Sequence, residues 1–256
     1  MRVHLVQFDI AWEEPERNYA AVRRLVGGAA VEPGDLIVLP EMFDTGFSFA
    51  VERTADESGR SRGFLAELAR EHGATVVGGV TVREGSGARN RAVVFGPGGT
   101  PLMHYDKTRL FPLGTPSEAS RFSAGPGEVG CFVWNGVRVA PLICYDLRFP
   151  ELFLAGLRAG AEVFVVIANW LEHRHAHWRA LAVARAIENQ AYVVAVNRCG
   201  KDPVAAYMGE SLVLSPRGEV VAEGGRGDEV VSAVVDAAEV RTWREKLPAW
   251  RERLGM

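Results

Sequence analysis

Short apolar runs that alternate with stretches of helical periodicity are the feature that most restricts the fold of this chain. The apolar runs lie at residues 3–8, 36–39, 75–80, 92–95, 137–143, 163–167, 192–196, 211–214 and 230–235. Most of them are continuously apolar, which is typical of strands covered on both faces. Stretches with helical spacing lie between them, chiefly at residues 15–26, 61–72, 150–160 and 176–190. Strands that alternate with helices predict an α/β fold.

Two similar hairpin motifs indicate an internal repeat. Residues 92–102, AVVFGPGGTPL, and residues 212–221, LVLSPRGEVV, share an apolar run, a turn containing Pro and Gly, and a returning strand. Each hairpin closes a block that reads strand, helix, strand, helix, strand. Two such blocks could pack their bare sheet faces together, or they could join in one open sheet with the hairpins as edge strands. The spacing alone favours neither arrangement.

Composition limits the partners of the protein. The 256 residues are 48% hydrophobic and 24% charged, and no linker-like segment divides them, so we expect one domain over residues 1–256. The net charge of −3, from 29 basic and 32 acidic residues, lacks the basic excess that nucleic-acid binding requires. The longest apolar run, VFVVIA, is far shorter than the roughly 18 residues needed to span a bilayer. We therefore expect neither a nucleic-acid nor a membrane partner.

The cysteine content indicates the cellular compartment. Three cysteines cannot all pair, and so few in a chain of this length favour a reducing environment. The first residues, MRVHLVQFDIAWEEPE, match neither a signal peptide nor a transit peptide. We expect a cytoplasmic protein.

Cys144 is the first candidate for chemistry. It lies between the apolar run VRVAPLI and a predicted helix that begins near Pro150, at the carboxyl end of a strand. Open α/β sheets place their sites at such ends, and nearby backbone N–H groups stabilise a thiolate. A small core residue is the equally weighted alternative. Cys131 and Cys199 lack such a turn, and we expect both in the core.

Two further residues follow predicted strands. Glu41 ends the run DLIVLPE, where a carboxylate is either a charge at the start of a helix or a base that faces the same cleft. The helix-start interpretation is slightly favoured. Lys107 follows the return strand of the first hairpin, where a solvated lysine is the ordinary expectation. Neither residue is persuasive alone.

Taken together, the blocks LPEMFDTGFSF, HYDKTRLF and LICYDLRFPE resemble the nitrilase superfamily of carbon–nitrogen hydrolases in order and separation. The resemblance continues through ANWLEHRHAHWRAL and ARAIENQAYVVAVNR and is strongest to the ω-amidase branch, which hydrolyses the side-chain amide of 2-oxoglutaramate or 2-oxosuccinamate. It implies a four-layer αββα sandwich, a homodimer, a small-molecule amide substrate and no cofactor. It therefore favours the arrangement with two packed sheets.

The resemblance also assigns roles to the three candidates. Cys144 becomes the nucleophile that forms a thioester, Glu41 the general base and acid, and Lys107 the cation that stabilises the oxyanion. Glu118, in SEASRFSAG, aligns with a second glutamate beside this triad, with a surface loop acid as the alternative.

Three residues are predicted to contact the substrate. The backbone N–H of Tyr145, which follows the nucleophile, is a second oxyanion donor, and Asn169 lies in the ANW block of the pocket wall. Arg174 follows the strand VFVVI at the same sheet edge as Cys144, so it could bind a substrate carboxylate, with a solvated residue as the equal alternative. Leu171 stands where relatives often have Pro, which is a departure in that wall.

Two further groups of residues give no indication of a functional site. His173, His175 and His177 open a predicted helix, where alternate residues point apart, so we expect no metal site. Arg185 and Glu188 are one helical turn apart and predict a structural ion pair.

The alternative functions are another reaction of this superfamily, by an aliphatic amidase, carbamoylase or nitrilase, or a non-catalytic dimeric binding module.

Overall fold

Two six-stranded sheets form the centre of the fold in the computed structural model, which describes residues 1–85, 87–114 and 116–256. The strands are β1 (Arg2–Gln7), β2 (Leu36–Val38), β3 (Thr75–Glu84), β4 (Gly87–Phe95), β5 (Pro101–Asp106), β6 (Phe132–Trp134), β7 (Val137–Ile143), β8 (Val163–Ala168), β9 (Tyr192–Asn197), β10 (Cys199–Lys201), β11 (Ala206–Met208), β12 (Leu212–Leu214), β13 (Val220–Glu223) and β14 (Glu229–Val234). The short pair β10–β11 stands outside both sheets.

The two sheets repeat one topology. The first has the order β14-β1-β2-β3-β4-β5 and the second the order β13-β12-β9-β8-β7-β6. In each sheet three parallel strands are followed by an antiparallel hairpin, β4–β5 or β12–β13. The internal repeat predicted from the two hairpin motifs is confirmed. The first sheet is completed by β14, which comes from near the end of the chain and pairs with β1.

The sheets pack face to face, with helices on the outer faces. Val22 and Leu65 of the helices on the first sheet share a buried cluster with Ile37 of that sheet. On the second sheet, Phe164 packs against Phe153 of the helix that follows β7, with ring centroids 5.0 Å apart. The layers therefore form an αββα sandwich, and the alternative of one open sheet is wrong.

Seven α-helices surround the sheets in the described part of the chain. They are α1 (Pro15–Gly27), α2 (Val51–Thr54), α3 (Arg60–His72), α4 (Pro150–Arg158), α5 (His175–Asn189), α6 (Ala237–Lys246) and α7 (Ala249–Leu254). The four predicted helices are α1, α3, α4 and α5. Helix α6 escaped prediction because it buries only two residues, Ala237 and Val240, and its apolar periodicity is weak. None of the described helices is long and apolar enough to cross a membrane.

Gly79 of β3 allows the segment after β2 to pass close to the first sheet. A Cβ atom on Gly79 would lie 2.7 Å from the Glu41 Cα and 2.9 Å from the Ile167 Cδ1. Its backbone N–H donates to the Pro40 carbonyl over 3.1 Å and its carbonyl accepts from the Phe43 N–H over 3.1 Å. Glycine is needed at this position because the backbone of Glu41 and a core side chain of the second sheet both meet it.

The Gly79→Ala variant should therefore lose about 1–3 kcal/mol of unfolding free energy, because the added methyl group overpacks the space between Glu41 and Ile167. Urea unfolding measures the loss. Gly63→Ala is the matched control, since a Cβ at Gly63 of α3 meets nothing within 4 Å and alanine favours helix. Equal stability of Gly79→Ala and the parent protein would contradict this account of the close approach.

Candidate active site

Four polar side chains meet where strands of the two sheets end. Glu41 follows β2 after two residues, and Lys107, Cys144 and Asn169 directly follow β5, β7 and β8. The carboxyl ends of parallel strands lie at the same edge of a sheet, which explains why distant parts of the sequence converge here.

Cys144 occupies a strained turn. It has a φ of 47°, in the left-handed region that non-glycine residues rarely adopt, and it opens the 3₁₀ turn Cys144–Arg148 before α4. Such strain persists only where the surroundings fix the backbone. The predicted strand-to-helix turn is present. Of the other cysteines, Cys199 is buried, as predicted, whereas Cys131 is half-buried and packs against the edge of the core rather than inside it.

The carboxylate of Asp146 stabilises this turn through three hydrogen bonds. It accepts hydrogen bonds from the Ile143 N–H over 3.1 Å, the Arg109 N–H over 2.8 Å and the Tyr105 hydroxyl over 2.9 Å. Burial raises the pKa of Asp146 to about 7 despite these donors. Asp146 therefore ties the turn after β7 to the segment that follows Lys107.

Arg185 supports the same turn from α5. Its Nε donates to the Leu147 carbonyl over 3.0 Å, and its Nη1 pairs with Glu188 over 2.9 Å. The structural ion pair predicted from the sequence is confirmed, and it also holds an arginine against the turn that contains Cys144.

A buried cluster of three charged residues lies beside Cys144. The Lys107 Nζ donates to the Glu41 Oε1 over 2.8 Å and to the Glu118 Oε2 and Oε1 over 2.9 and 3.1 Å. All three side chains have 0% exposure. Glu41 starts no helix, because it lies in a turn, and Lys107 is not solvated. Glu118, at the start of the 3₁₀ turn Glu118–Ser120, is not a surface loop acid.

Neutral donors complete the cluster. The Asn90 Nδ2 donates to both Glu41 and Glu118, and the Phe111 N–H donates to the Glu118 Oε2 over 2.6 Å. The Asn169 N–H donates to the Glu41 Oε2 over 2.8 Å, and its Nδ2 donates to the Glu41 carbonyl over 2.6 Å. Asn169, predicted to bind substrate, thus holds Glu41 as well as lining the pocket. Sequence reasoning missed Asn90, whose only signal is a polar residue between two arginines in a strand.

Burial and charge set the protonation states of the site. Burial opposes the charged form of Lys107, but Glu118 and Glu41 outweigh it, so the pKa of Lys107 is raised and the side chain is an ammonium. Burial, and then the charge of Glu41, raise the pKa of the Cys144 thiol well above its usual range, although Lys107 opposes them. At neutral pH the resting cysteine is therefore a thiol, which needs a base before it can attack.

A small cavity opens onto Cys144. Its walls include the aromatic residues Phe47, Phe111, Tyr145 and Trp170, with Asn169, Leu171 and two arginines, Arg148 and Arg174. Four of the nine wall residues are aromatic and a fifth is Leu171, so most of the wall is apolar and the cavity suits a small molecule with an apolar body.

The two arginines give the cavity positive charge. Arg148 lies 4.8 Å from the ring centroid of Trp170, and Arg174 lies 5.1 Å from that of Phe111. Within the described parts of the chain neither guanidinium pairs with a carboxylate. Arg174 was predicted to face this cleft, whereas Arg148 was missed, although it stands in the same block as Cys144.

The three histidines of HRHAH have separate surroundings. His173 lies in the 3₁₀ turn Glu172–Arg174, and α5 begins at His175. The His177 Nδ1 lies 3.2 Å from the Arg148 Nη2, and the His175 Nδ1 lies 3.6 Å from the Glu210 Oε2. The helix predicted at this run is confirmed.

Comparison with known proteins identifies the family of this site. A family model described as carbon–nitrogen hydrolase matches residues 2–245. The chain belongs to the carbon–nitrogen hydrolase family. A 2-oxoglutaramate amidase of Bacillus subtilis is 38% identical over 97% of this chain and 95% of its own length. The omega-amidase YafV of Escherichia coli K12 is 35% identical over 98% and 96%.

Solved structures agree with this assignment of the hydrolase. The CN-hydrolase superfamily protein XC1258 of Xanthomonas campestris, which carries an arsenic adduct in its active site, has a TM-score of 0.88 at 34% identity and covers 98% of this chain and 96% of its own. A mutant amidase of Nesterenkonia sp. AN1 has a TM-score of 0.81 at 26% identity over 97% and 98%, and acrylamide has added to its active-site cysteine.

Removal of the Lys107 charge should make the stability of this hydrolase depend on pH. Lys107→Gln leaves the buried carboxylates of Glu41 and Glu118 without a cation, which should cost about 3–5 kcal/mol of unfolding free energy at pH 8. Burial already raises the pKa of Glu118, and loss of the ammonium would raise it further. A group whose pKa is raised in the folded state stabilises the protein at low pH, and this contribution is lost as the pH rises. The loss in Lys107→Gln should therefore be smaller at pH 5 than at pH 8, as measured by urea unfolding.

The double variant Lys107→Gln with Glu118→Gln is the control for this experiment. It removes one negative charge together with the positive one and should recover much of the stability at pH 8. An equal loss at both pH values in Lys107→Gln would show that the cluster is not held by charge.

Proposed function

We propose that this hydrolase cleaves the terminal amide of small ω-amides that resemble 2-oxoglutaramate or 2-oxosuccinamate, releasing an acid and ammonia through a thioester on Cys144. The observation that carries this proposal is the position of Cys144 between two features of the site. It borders both the buried cluster of Glu41, Lys107 and Glu118 and a small cavity lined by two guanidinium groups that have no carboxylate partner among the described residues. The similarity to a 2-oxoglutaramate amidase and an omega-amidase supports the same substrate class.

Glu41 would act as the general base and acid. The thiol proton of Cys144 passes to Glu41 as sulfur bonds to the amide carbon, and the tetrahedral intermediate then breaks its C–N bond. The proton on Glu41 goes to the departing nitrogen, which leaves as ammonia. Water then attacks the thioester and gives its proton to Glu41. The second tetrahedral intermediate breaks its C–S bond and releases the acid, and Glu41 returns the proton to sulfur, which restores the thiol.

Lys107 would stabilise the oxyanion of both tetrahedral intermediates. The raised pKa of Lys107 keeps it an ammonium in a buried site, where a fixed charge is stronger than in water. The backbone N–H of Tyr145 is the proposed second donor. Loss of one such donor typically lowers kcat by roughly 10²–10³. Glu118 would hold Lys107 in place and oppose the loss of its proton on burial.

Arg174 and Arg148 would bind the carboxylate of the substrate. Both guanidinium groups line the cavity that contains Cys144, and neither has a carboxylate partner among the described residues. The cavity places both guanidinium groups near Cys144, and a short dicarboxylate monoamide carries its free carboxylate a few bonds from the reacting amide. An arginine can bind that carboxylate through two hydrogen bonds.

The proposal also covers the oligomeric state of the protein and its cellular compartment. We propose a homodimer of a single-domain chain, which is the assembly that the resemblance to the nitrilase superfamily implies. The three unpaired cysteines support a reducing compartment and hence the cytoplasm.

The role of Cys144 is tested by substitution and mass spectrometry. Cys144→Ala should abolish ammonia release from 2-oxoglutaramate and keep the melting temperature within a few degrees, because alanine is small. Rapid quenching of the parent enzyme with substrate should give an acyl adduct on the peptide that contains Cys144. Cys131→Ala is the matched control and should keep full activity. Turnover by Cys144→Ala, or an adduct on another cysteine, would refute the assignment.

The roles of the two arginines are tested by a pair of substrates. Arg174→Ala or Arg148→Ala should raise KM for succinamate by about tenfold or more, because a charge-assisted hydrogen bond is lost, and should leave butyramide hydrolysis unchanged. Arg158→Ala, an exposed arginine outside the cavity, serves as the control. Equal losses for the charged and uncharged amides would show that neither arginine binds the carboxylate.

A further inference from the structure

Asn90 lies at the centre of the buried charged cluster. It belongs to β4 and has 1% exposure. Its neighbours Arg89 and Arg91 form ion pairs with acidic residues on the other face of the strand. Alternation along the strand therefore turns the Asn90 side chain inward, toward the cluster.

All three charged residues are in contact with Asn90. Its Nδ2 donates to the Glu41 Oε1 over 2.7 Å and to the Glu118 Oε1 over 2.8 Å, which uses both hydrogens of the amide. Its backbone carbonyl accepts from the Lys107 N–H over 2.8 Å. The orientation of the amide group follows from these partners, since both neighbours of Nδ2 are carboxylate oxygens.

The charge balance of the cluster explains why such a donor is needed. Two carboxylates and one ammonium leave one excess negative charge in a site that is closed to water, so neutral donors must stabilise it. The Phe111 N–H donates a hydrogen bond to Glu118 alone, and the Asn169 N–H donates one to Glu41 alone. Within the part of the chain that the structure describes, Asn90 is the one neutral side chain that donates to both carboxylates.

The same contacts determine which carboxylate oxygen of Glu41 is available to accept a proton. Its Oε1 accepts from Lys107 and Asn90, which occupies both lone pairs. Its Oε2 accepts from the Asn169 N–H over 2.8 Å, and its second contact, from the Asn169 Nδ2, is long at 3.5 Å, so this oxygen keeps a position for a proton. We propose that Asn90 is a positioning residue for the reaction, which holds the carboxylates of Glu41 and Glu118 in place around Lys107 and leaves the Glu41 Oε2 as the atom that takes the thiol proton. This inference rests on the proposed function of Glu41 and Cys144.

Removal of Asn90 should change the pH dependence of the enzyme. Burial raises the pKa of Glu118, Lys107 lowers it, Glu41 raises it, and the hydrogen bond from Asn90 lowers it. Without Asn90, Glu118 would take up a proton at higher pH. A neutral Glu118 binds the Lys107 ammonium less strongly, so activity should fall at a higher pH than in the parent enzyme.

The test compares Asn90→Ala and Asn90→Ser with Asn18→Ala by kcat and KM between pH 5 and 9 and by melting temperature. Asn90→Ala should lower kcat by about tenfold or more with little change in KM, and it should move the acid limb of kcat/KM up by about one pH unit. Asn90→Ser should be intermediate, because a hydroxyl donates to one carboxylate. Asn18 is equally buried and donates to two backbone carbonyls, so Asn18→Ala should lose stability and keep the acid limb of the parent.

Three outcomes would overturn the inference. The first is a kcat and an acid limb of kcat/KM like those of the parent in either folded Asn90 variant. The second is a rise in KM without a fall in kcat. The third is the same shift of the acid limb in Asn18→Ala. If Asn90→Ala does not fold, the milder Asn90→Ser decides. Glu41→Gln separates the two claims. If it is inactive while the Asn90 variants match the parent, only the role of Asn90 fails, and if Glu41→Gln is fully active, the proposed function fails as well.

Discussion

The burial of one ammonium between two carboxylates is the interaction on which the rest of the site depends. Lys107, Glu41 and Glu118 are all closed to solvent, and each charge would be costly there alone. The pairing keeps Lys107 charged against the effect of desolvation. It also places a fixed positive charge beside a cysteine whose own pKa is raised, so the Cys144 thiol stays neutral until a base removes its proton. In the proposed mechanism the cluster therefore combines charge stabilisation with base catalysis.

The αββα sandwich provides the rigid frame that this arrangement needs. Glu41 and Lys107 follow strands of the first sheet, and Cys144 and Asn169 follow strands of the second, so the site lies where both sheets end. Gly79 lets the Glu41 segment pass between the sheets. The left-handed backbone of Cys144 is held by the contacts of the turn that follows it. Packing, rather than local sequence preference, fixes the distances within the site.

Much of the fold could be predicted from the sequence, because strands buried on both faces read as continuous apolar runs and the two hairpins mark the repeat. The positions of Glu41 and Lys107 were predictable as strand ends, but their burial was not, since each residue alone reads as an ordinary surface charge. Asn90 and Arg148 were missed because their contacts join segments that lie far apart in the sequence. Helices α6 and α7 were missed because their apolar faces are small.

The charge state of Lys107 tests the central claim most directly. The chain contains three lysines, and Lys201 and Lys246 are exposed, so ¹⁵N-lysine labelling gives one buried signal and two references. NMR titration of the side-chain nitrogens from pH 6 to 11 measures the protonation of each. We expect the Lys107 signal to remain that of an ammonium through the range in which the exposed lysines lose their charge. A neutral Lys107 amine at pH 8 would contradict the account.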